Sequence, residues 1–252
     1  MESTNSQSSN KIFQIILFIL GLIGLYYLYQ YLFGTKTSNV YTLISATKSA
    51  DIASTVSSDK LPPLFEGGEF SISTWIYINN WSYNIGKGKS IISIGPQLSP
   101  TSYDIIRIYL GRHQPKLHVR LHTSKEKLDS TSNDNIFTNG TDSELLDSPQ
   151  ICDLPEVELQ KWINITVAVN GRTVDVYLNG KLARSCVLES IFKVSNGYSA
   201  KLCSPGFGGK ISTTTMYDSA LNPEQVYKQY MAGPEPIGGI FQWISSFFEP
   251  KL

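Results

Sequence analysis

The chain has 252 residues, which is long enough for one sizeable domain with an appendage. Its 21 Lys and Arg residues balance 21 Asp and Glu residues, so no global electrostatic field would recruit nucleic acid or an acidic partner. The basic, aromatic-rich run of nucleic-acid-binding proteins is also missing from the sequence, and we expect no such partner.

The N-terminus begins with a polar segment, residues 1–11, that we expect to be disordered. Residues 12–33 then carry no formal charge, and their number exceeds the ~20 that cross a bilayer as a helix. A cleaved signal peptide is the alternative, but its apolar core is usually shorter, about 7–15 residues. The segment therefore predicts a single-pass transmembrane helix. Four tyrosines near its C-terminal end would lie at the membrane interface: Tyr26, Tyr27, Tyr29 and Tyr31.

The next part of the chain changes from polar connections to strands. Residues 34–63 form either a stalk or an opening edge strand, with a short strand candidate at 40–44. Alternating apolar residues then predict further strands at 69–78, 90–95, 104–110 and 117–122. Residues 123–150 are polar and show almost no apolar periodicity, which is typical of a functional or disordered loop.

A three-stranded meander organises the centre of the chain, from Trp162 to Leu182. Apolar and polar residues alternate from 163 to 169 and again from 174 to 178, as in strands with one buried face. Asn170-Gly171 and Asn179-Gly180 follow these runs, and Asn-Gly favours type I′ turns because both central residues need positive φ. A second sheet must cover the apolar face of the meander.

An irregular stretch, 187–208, precedes a closing strand at 209–217 and a short helix. Asn222-Pro223-Glu224 supplies this helix with an N-cap, a proline at its first position and an early acid. The tail 233–252 is amphipathic, and we expect it to lie at the membrane interface or against the domain. Its apolar stripe includes Phe241, Trp243, Phe247 and Phe248.

Three motifs in order resemble the laminin-G-like and concanavalin-A-like jelly rolls. Besides the meander, the run 70–78 is similar to an early strand of that family, and 209–226 is similar to its closing strand and Tyr-Asp-x-Ala-Leu ending. The resemblance covers residues 64–232. It implies an all-β fold, an antiparallel two-sheet jelly-roll sandwich, here preceded by the transmembrane helix. It is not specific for an activity, because this fold hosts enzymes, lectins and adhesion modules.

Strand alternation also predicts a candidate binding surface. If Ile72 and Ile76 face the core, their neighbours Trp75 and Tyr77 point outward, and the same alternation applies to the strands at 104–110 and 117–122. Should these strands share a sheet, one surface would place aromatic rings beside hydrogen-bond donors, which suits a sugar or a protein partner. Its members would be Trp75, Tyr77, Arg107, Tyr109, His118, Arg120 and His122. The alternatives are that Trp75 and Tyr77 are buried beneath the stalk or the long loop, and that the histidine-bearing face is merely solvated.

We expect no catalytic activity from the sequence. Retaining glycosidases need two carboxylates about 5–5.5 Å apart, and the sandwich enzymes typically present them on one strand. The nearest match, Glu156 and Glu158, lies beside Pro155, where a loop is expected. No serine stands in the Gly-x-Ser-x-Gly motif of a nucleophile.

We expect no cofactor either. The resemblance implies calcium as an auxiliary ligand, which needs several converging oxygens. The densest cluster of oxygen donors lies in the long loop and matches no metal motif: Asp129, Asn133, Asp134, Asn135 and Asp142. The three cysteines have no zinc-binding spacing. A bridge between Cys186 and Cys203 would require an oxidising compartment, and buried thiols are the alternative.

These features lead to three hypotheses of function. The first is a membrane-anchored, non-catalytic, lectin-like module that binds carbohydrate or protein at a membrane surface. The second is a structural protein of a virion membrane that joins it to a capsid shell, because an anchor with a laminin-G-like domain resembles membrane proteins of large DNA viruses. The third, a glycoside hydrolase, is disfavoured by the missing carboxylates. Lys11 and Lys36 flank the anchor on opposite sides and leave its orientation open.

Overall fold

A computed structural model of the protein describes residues 3–33, 39–96, 104–123, 152–194 and 197–235. The chain forms two compact units, Met1–Thr37 and Ser38–Leu252. The oxygen-rich cluster of the predicted long loop and the aromatic residues of the C-terminal tail lie outside the described residues.

The first unit contains helix α1, Ser3–Phe33. Within the described part of the chain, no helix combines the length and the apolarity needed to cross a membrane, so the predicted transmembrane helix at 12–33 is not supported. Helix α1 begins at Ser3, inside the polar segment 1–11 for which disorder is predicted. Extending a helix costs little once a nucleus exists, so polar residues can continue a neighbouring apolar helix.

The described side chains of α1, residues 13–28, are all exposed and uncharged. Among the tyrosines predicted to lie at a membrane interface, Tyr26 and Tyr27 make an edge-to-face contact, with ring centroids 5.8 Å apart. The side chains of Tyr29 and Tyr31 lie outside the described set.

The described part of the second unit forms two antiparallel sheets, as predicted. The larger sheet has the order β1-β12-β4-β8-β9-β10, with β2 beside β12, and the smaller has the order β3-β11-β5-β6-β7. The strands are β1 Val40–Ile44, β2 Lys48–Ser49, β3 Ser54–Val56, β4 Glu69–Asn80, β5 Lys89–Pro96, β6 Ile106–Leu110, β7 Leu117–Leu121, β8 Trp162–Asn170, β9 Thr173–Leu178, β10 Lys181–Val187, β11 Tyr198–Leu202 and β12 Gly208–Tyr217. A short 3-10 helix, Ser58–Lys60, follows β3.

The hydrophobic core lies between the two sheets and follows the predicted alternation. Ile72 and Ile76 of β4 are fully buried in it, together with Val167 of β8, whereas Trp75 points to the other side of the larger sheet. From the smaller sheet, Ile92 and Ile108 close the core. The burial of these branched side chains, each worth about 1.5–3 kcal/mol, is what holds the two sheets together.

The two turns of the meander differ from each other. Asn179 and Gly180 both have positive φ and join β9 to β10, as a type I′ turn requires. In the other turn Asn170 pairs with Thr173 inside the ladder, so the loop residues are Gly171 and Arg172, and only Gly171 has positive φ. The predicted Asn170-Gly171 turn is therefore shifted by one residue, because glycine at the first central position suits a type II′ turn.

Helix α2, Pro223–Ala232, begins where the sequence predicts. The Asn222 side chain accepts a hydrogen bond from the Gln225 backbone N–H at 2.9 Å, and the Gln225 side chain accepts one from the Asn222 N–H at 2.9 Å. This reciprocal capping box satisfies two of the donors that a helix N-terminus leaves open. Val226 packs α2 on the outer face of the larger sheet with Tyr177 and Tyr217.

Long-range pairing explains the remaining differences from the predictions. The region 34–63, predicted as a stalk or an edge strand, contains β1, which pairs with the last strand β12 along the edge of the larger sheet. The predicted irregular stretch 187–208 contains β11, which lies between β3 and β5 in the smaller sheet. Strand pairing with distant segments stabilises both short strands, and local periodicity does not reveal such partners.

The cysteine pairing also differs from the predicted possibility. Cys152 and Cys186 form a disulfide, with Cα atoms 5.7 Å apart, and Cys203 is a buried free thiol. The bridge between Cys186 and Cys203 does not form, because Cys186 lies on β10 at one end of the larger sheet and is bonded to Cys152, while Cys203 directly follows β11, an inner strand of the smaller sheet.

Candidate functional site

The structure divides the predicted binding surface between the two sheets. Trp75 and Tyr77 lie on β4 of the larger sheet. The other five residues belong to the smaller sheet, with Arg107 and Tyr109 on β6, His118 and Arg120 on β7, and His122 just after β7. Alternation predicts which way a side chain points within a strand, but it does not predict which sheet the strand joins. The single surface does not form, and two separate regions remain.

The first region is the outer face of the smaller sheet, which we call the polar face and which comprises Ser93, Arg107, Tyr109, His118, Arg120 and Lys201. Neighbouring strands place Lys201 opposite Ser93, Ser93 opposite Arg107, and Arg107 opposite Arg120 in one row. Tyr109 stacks on His118, with ring centroids 4.8 Å apart and planes inclined by 14°. Both residues are about 1% exposed, so this stacked pair is buried rather than solvated, whereas Arg120 and Lys201 are partly exposed.

Asp153 organises one end of the polar face, and sequence reasoning missed it. Its Oδ2 atom lies 2.9 Å from His118 Nδ1, and its Oδ1 atom accepts a hydrogen bond from the Val119 backbone N–H at 3.1 Å. Arg120 also donates to Oδ1 of this carboxylate. Because Asp153 is 35 residues away from His118 in the chain, no local motif joins them.

The described residues of the polar face form a hydrogen-bonded network. His118 Nδ1 and the Asp153 carboxylate share a hydrogen bond, and the described residues provide no hydrogen-bond partner for the buried Nε2 atom of the same ring. A carboxylate and a histidine make up two of the three parts of a hydrolytic triad, and among the described residues Tyr109 is the one that stacks on the ring. In the part of the chain that is described, no group of three His, Cys, Asp or Glu could hold a metal ion.

Arg107 and His122 complete this side of the molecule. Arg107 forms an ion pair with Asp104, three residues earlier in the chain. His122 is buried, and its backbone N–H donates to the Ile105 carbonyl at 3.1 Å. Both residues are thus held in place by their neighbours.

The second region is a pocket of about 130 Å³ on the outer face of the larger sheet, which we call the Trp75 pocket. Strand β4 contributes Ser73 and Trp75, and helix α2 contributes Gln229 and Ala232. The remaining lining comes from β12 and the end of the helix, with Thr213, Thr215 and Gly233. Strand alternation predicts that Trp75 points outward, but it does not predict that α2 lies over this residue.

The indole of Trp75 is fixed as one wall of this pocket. Its ring stacks on Tyr230 of α2, with centroids 5.7 Å apart and planes inclined by 18°, and only 6% of the residue is exposed. Trp75 is buried, as in the predicted alternative, and among the described residues the ring that stacks on it is Tyr230 of α2 rather than one from the stalk. Tyr77 lies outside the pocket lining, with its ring 5.6 Å from that of Trp162.

Hydroxyl groups line the floor of the Trp75 pocket, and a hydrogen-bond network orients them. Ser73 Oγ lies 3.0 Å from Thr166 Oγ1 and 3.2 Å from Asn164 Nδ2, and both of these partners are fully buried. Thr215 Oγ1 donates to the Tyr217 hydroxyl at 3.2 Å, while burial raises the pKa of Tyr217 and keeps its phenol protonated. The floor therefore presents fixed polar groups next to an aromatic wall.

The two acids considered for catalysis, Glu156 and Glu158, are both exposed in the segment that precedes β8. Glu158 forms an ion pair with Lys161 at 3.2 Å. Both lie on a surface loop, as the sequence predicts.

Comparison with known proteins gives a family match. Residues 48–227 match the model of the concanavalin A-like lectin/glucanases superfamily, which is more than half of the chain. No curated protein matches the chain significantly.

Several solved structures are similar to the chain at low identity. The ligand binding domain of botulinum neurotoxin serotype D, in complex with N-acetylneuraminic acid, is 16% identical with a TM-score of 0.46, over 78% of this chain and 46% of that one. The botulinum neurotoxin type G receptor binding domain is 14% identical with a TM-score of 0.45, over 77% and 46%. A Trypanosoma rangeli sialidase in complex with sialic acid is 11% identical with a TM-score of 0.42, over 66% and 23%. The chain thus spans less than half of each of these structures.

Proposed function

Because the chain belongs to the concanavalin A-like lectin/glucanase superfamily, we propose that its domain is a non-catalytic module that binds carbohydrate. The observation that carries this proposal is the Trp75 pocket, where an aromatic wall stands beside hydroxyl and amide groups. The part of the indole that Tyr230 leaves uncovered offers an apolar contact to the C–H groups of a sugar, and the hydroxyls of the sugar exchange hydrogen bonds with polar side chains.

The size of the pocket limits what enters it. Pockets for drug-sized ligands typically measure about 300–1,000 Å³, so a cavity of about 130 Å³ takes a single sugar unit rather than a chain of them. Its walls carry no formal charge, since Ser73, Thr213, Thr215 and Gln229 supply the polar groups. We therefore propose a neutral terminal sugar as the bound unit.

This function is tested by a glycan array, followed by calorimetry with the glycan that the protein binds on the array. We expect Gln229→Leu to weaken binding about three- to tenfold, because a hydrogen bond contributes about 0.5–1.5 kcal/mol and 1.4 kcal/mol is tenfold in affinity. The matched control is Lys228→Ala, since Lys228 lies on the exposed side of α2, paired with Glu224 at 2.7 Å. The proposal is contradicted if the protein binds no neutral glycan on the array. It is also contradicted if the two variants bind the glycan with equal affinity.

We further propose that α1 attaches the domain to a membrane. The support is that residues 13–28 expose Phe, Ile, Leu and Tyr side chains without a single formal charge. Exposure of an apolar surface of this extent to water is unfavourable in free energy. Lipid or an apolar protein surface would cover it. The structural role in a virion, with a capsid protein as partner, stays a prediction that cofractionation with purified particles would test.

A further inference from the structure

The disulfide between Cys152 and Cys186 joins a strand of the larger sheet to a segment that runs along the smaller sheet. Cys186 lies on β10, the last strand of the larger sheet. Cys152 begins the segment 152–157, which runs along β7, the last strand of the smaller sheet. The bond therefore crosses the sandwich on the side where β7 and β10 form the two sheet edges.

The segment 152–157 covers the edge of β7 with backbone hydrogen bonds. The Leu117 N–H donates to the Leu154 carbonyl at 3.1 Å, and the Leu154 N–H donates back to Leu117 at 2.9 Å. Further along, the Val157 N–H donates to the Pro115 carbonyl at 2.6 Å. Leu154 and Val157 are also buried in the core, so the segment serves as a short additional edge of the smaller sheet.

The same segment supplies the carboxylate on which the polar face depends. Asp153 directly follows Cys152, and it binds His118, Arg120 and the Val119 backbone as described above. These groups are mostly buried, so removal of the carboxylate would leave a histidine and an arginine without this partner in a site with little water.

We propose that oxidation of Cys152 and Cys186 is a covalent modification that the domain requires to close this side of the sandwich and to hold Asp153 on the polar face. In this step the two thiols lose two protons and two electrons, and one S–S bond forms. A disulfide-bearing oxidant, such as a protein disulfide or glutathione disulfide, accepts the electrons and is reduced to two thiols.

Burial makes the bond a lasting one once it has formed. Cys152 is 3% exposed and Cys186 is 7% exposed, so an external thiolate has poor access to either sulfur. The third cysteine is no internal competitor near neutral pH, because burial keeps Cys203 protonated. The modification thus belongs to maturation in an oxidising compartment rather than to a rapid redox switch.

Thiol counting on the full chain tests whether the bond forms. The chain is unfolded under non-reducing conditions, alkylated, reduced, and alkylated again with a second reagent, and the peptides are identified by mass. We expect the first reagent on Cys203 alone and the second on Cys152 and Cys186. Labelling of all three cysteines by the first reagent, in protein taken from the cells that naturally make it, would overturn the proposal.

Hydrogen exchange tests what the bond does. In the double variant Cys152→Ser and Cys186→Ser, which adds no bulk to the core, we expect the amides of Val119 and Leu154 to exchange at least tenfold faster than in the oxidised protein. The matched control is Cys203→Ser, which should leave the exchange at both amides unchanged. If the double variant does not fold while Cys203→Ser folds, that loss of folding shows the requirement. Equal exchange in the oxidised protein and in the folded double variant would overturn the proposal.

Discussion

Asn164 illustrates how a polar residue is accommodated beneath the Trp75 pocket. It is fully buried on β8, yet its Nδ2 reaches Ser73 Oγ at 3.2 Å and its Oδ1 accepts a hydrogen bond from Thr166 at 3.2 Å. Its backbone N–H donates to the side chain of Asn179 at 3.0 Å. Asn164 also begins an Asn-x-Ser/Thr sequon, but its amide is enclosed by these contacts, whereas the sequon residue Asn80 is exposed at the end of β4. Only Asn80 of these two is open to glycosylation.

Raising the pH should weaken the fold through Cys203. Burial, with a smaller contribution from the nearby Asp51 carboxylate, raises the pKa of the Cys203 thiol from 9.0 to about 12. The folded state keeps a proton that the unfolded state releases, so this contribution to the free energy of unfolding is complete below pH 9 and is lost between pH 9 and 12. Within that window the loss is about 1.4 kcal/mol per pH unit.

Urea unfolding of the wild type and of Cys203→Ala measures this effect. The raised pKa values of Tyr177 and Tyr217 act equally in both proteins and cancel in the difference. The stability advantage of the wild type should fall by about 2 kcal/mol from pH 9 to pH 10.5. Parallel pH profiles of the two proteins would contradict the assignment.

At the scale of elements, helix α2 depends on its capping box. Asn222→Ala removes the acceptor of the Gln225 N–H, and we expect it to lower the free energy of unfolding by about 1 kcal/mol. Because α2 also brings Tyr230 onto Trp75, the variant should change the tryptophan fluorescence of the folded protein. Urea unfolding and fluorescence spectra are the measurements.

The control for this variant lies on the same helix. Lys228→Ala breaks only an exposed ion pair with Glu224, so its stability should change by less than about 0.5 kcal/mol. If the two substitutions lower the free energy of unfolding by the same amount, the prediction that the cap stabilises α2 is wrong.

The sequence predicts strands better than it predicts their partners. Alternation correctly predicts that Trp75 points away from the core, because the period of two is a local property of the strand. It assigns Trp75 and Tyr109 to one surface only by assuming a shared sheet, whereas β4 pairs with β8 and β12, and β6 pairs with β5 and β7. These pairings depend on packing between distant segments, which no short window of sequence contains.

The sequence does not predict the Trp75 pocket, for a related reason. Its lining combines residues of β4, β12 and α2, and β4 lies more than 100 residues before the other two elements in the chain. A register shift in β12 between Ser212 and Thr215 also interrupts the alternation that would have shown which of its threonines point outward. The capping box of α2, by contrast, is entirely local and is readable from four residues.

At the scale of the whole molecule, the proposed attachment through α1 predicts how the protein fractionates. The full chain should remain in the membrane pellet after alkaline carbonate extraction, because the exposed apolar side chains of residues 13–28 would be covered by lipid. A variant that lacks residues 1–33 is the control and should be released. Release of the full chain as well would contradict the proposed attachment through α1. This outcome would not bear on the separate proposal that the domain binds glycans.

The pairing of β1 with β12 determines how the domain would carry a mechanical load. Asn39, the first described residue of the second unit, donates to Asp218 through its backbone N–H at 3.0 Å and through its side chain at 2.6 Å. Pulling on this end along the axis of β1 would load the hydrogen bonds of the β1–β12 ladder together, in shear. Pulling across the strand would break them one after another, as in a zipper. The force that the domain withstands while it holds a ligand would therefore depend on the direction of the pull.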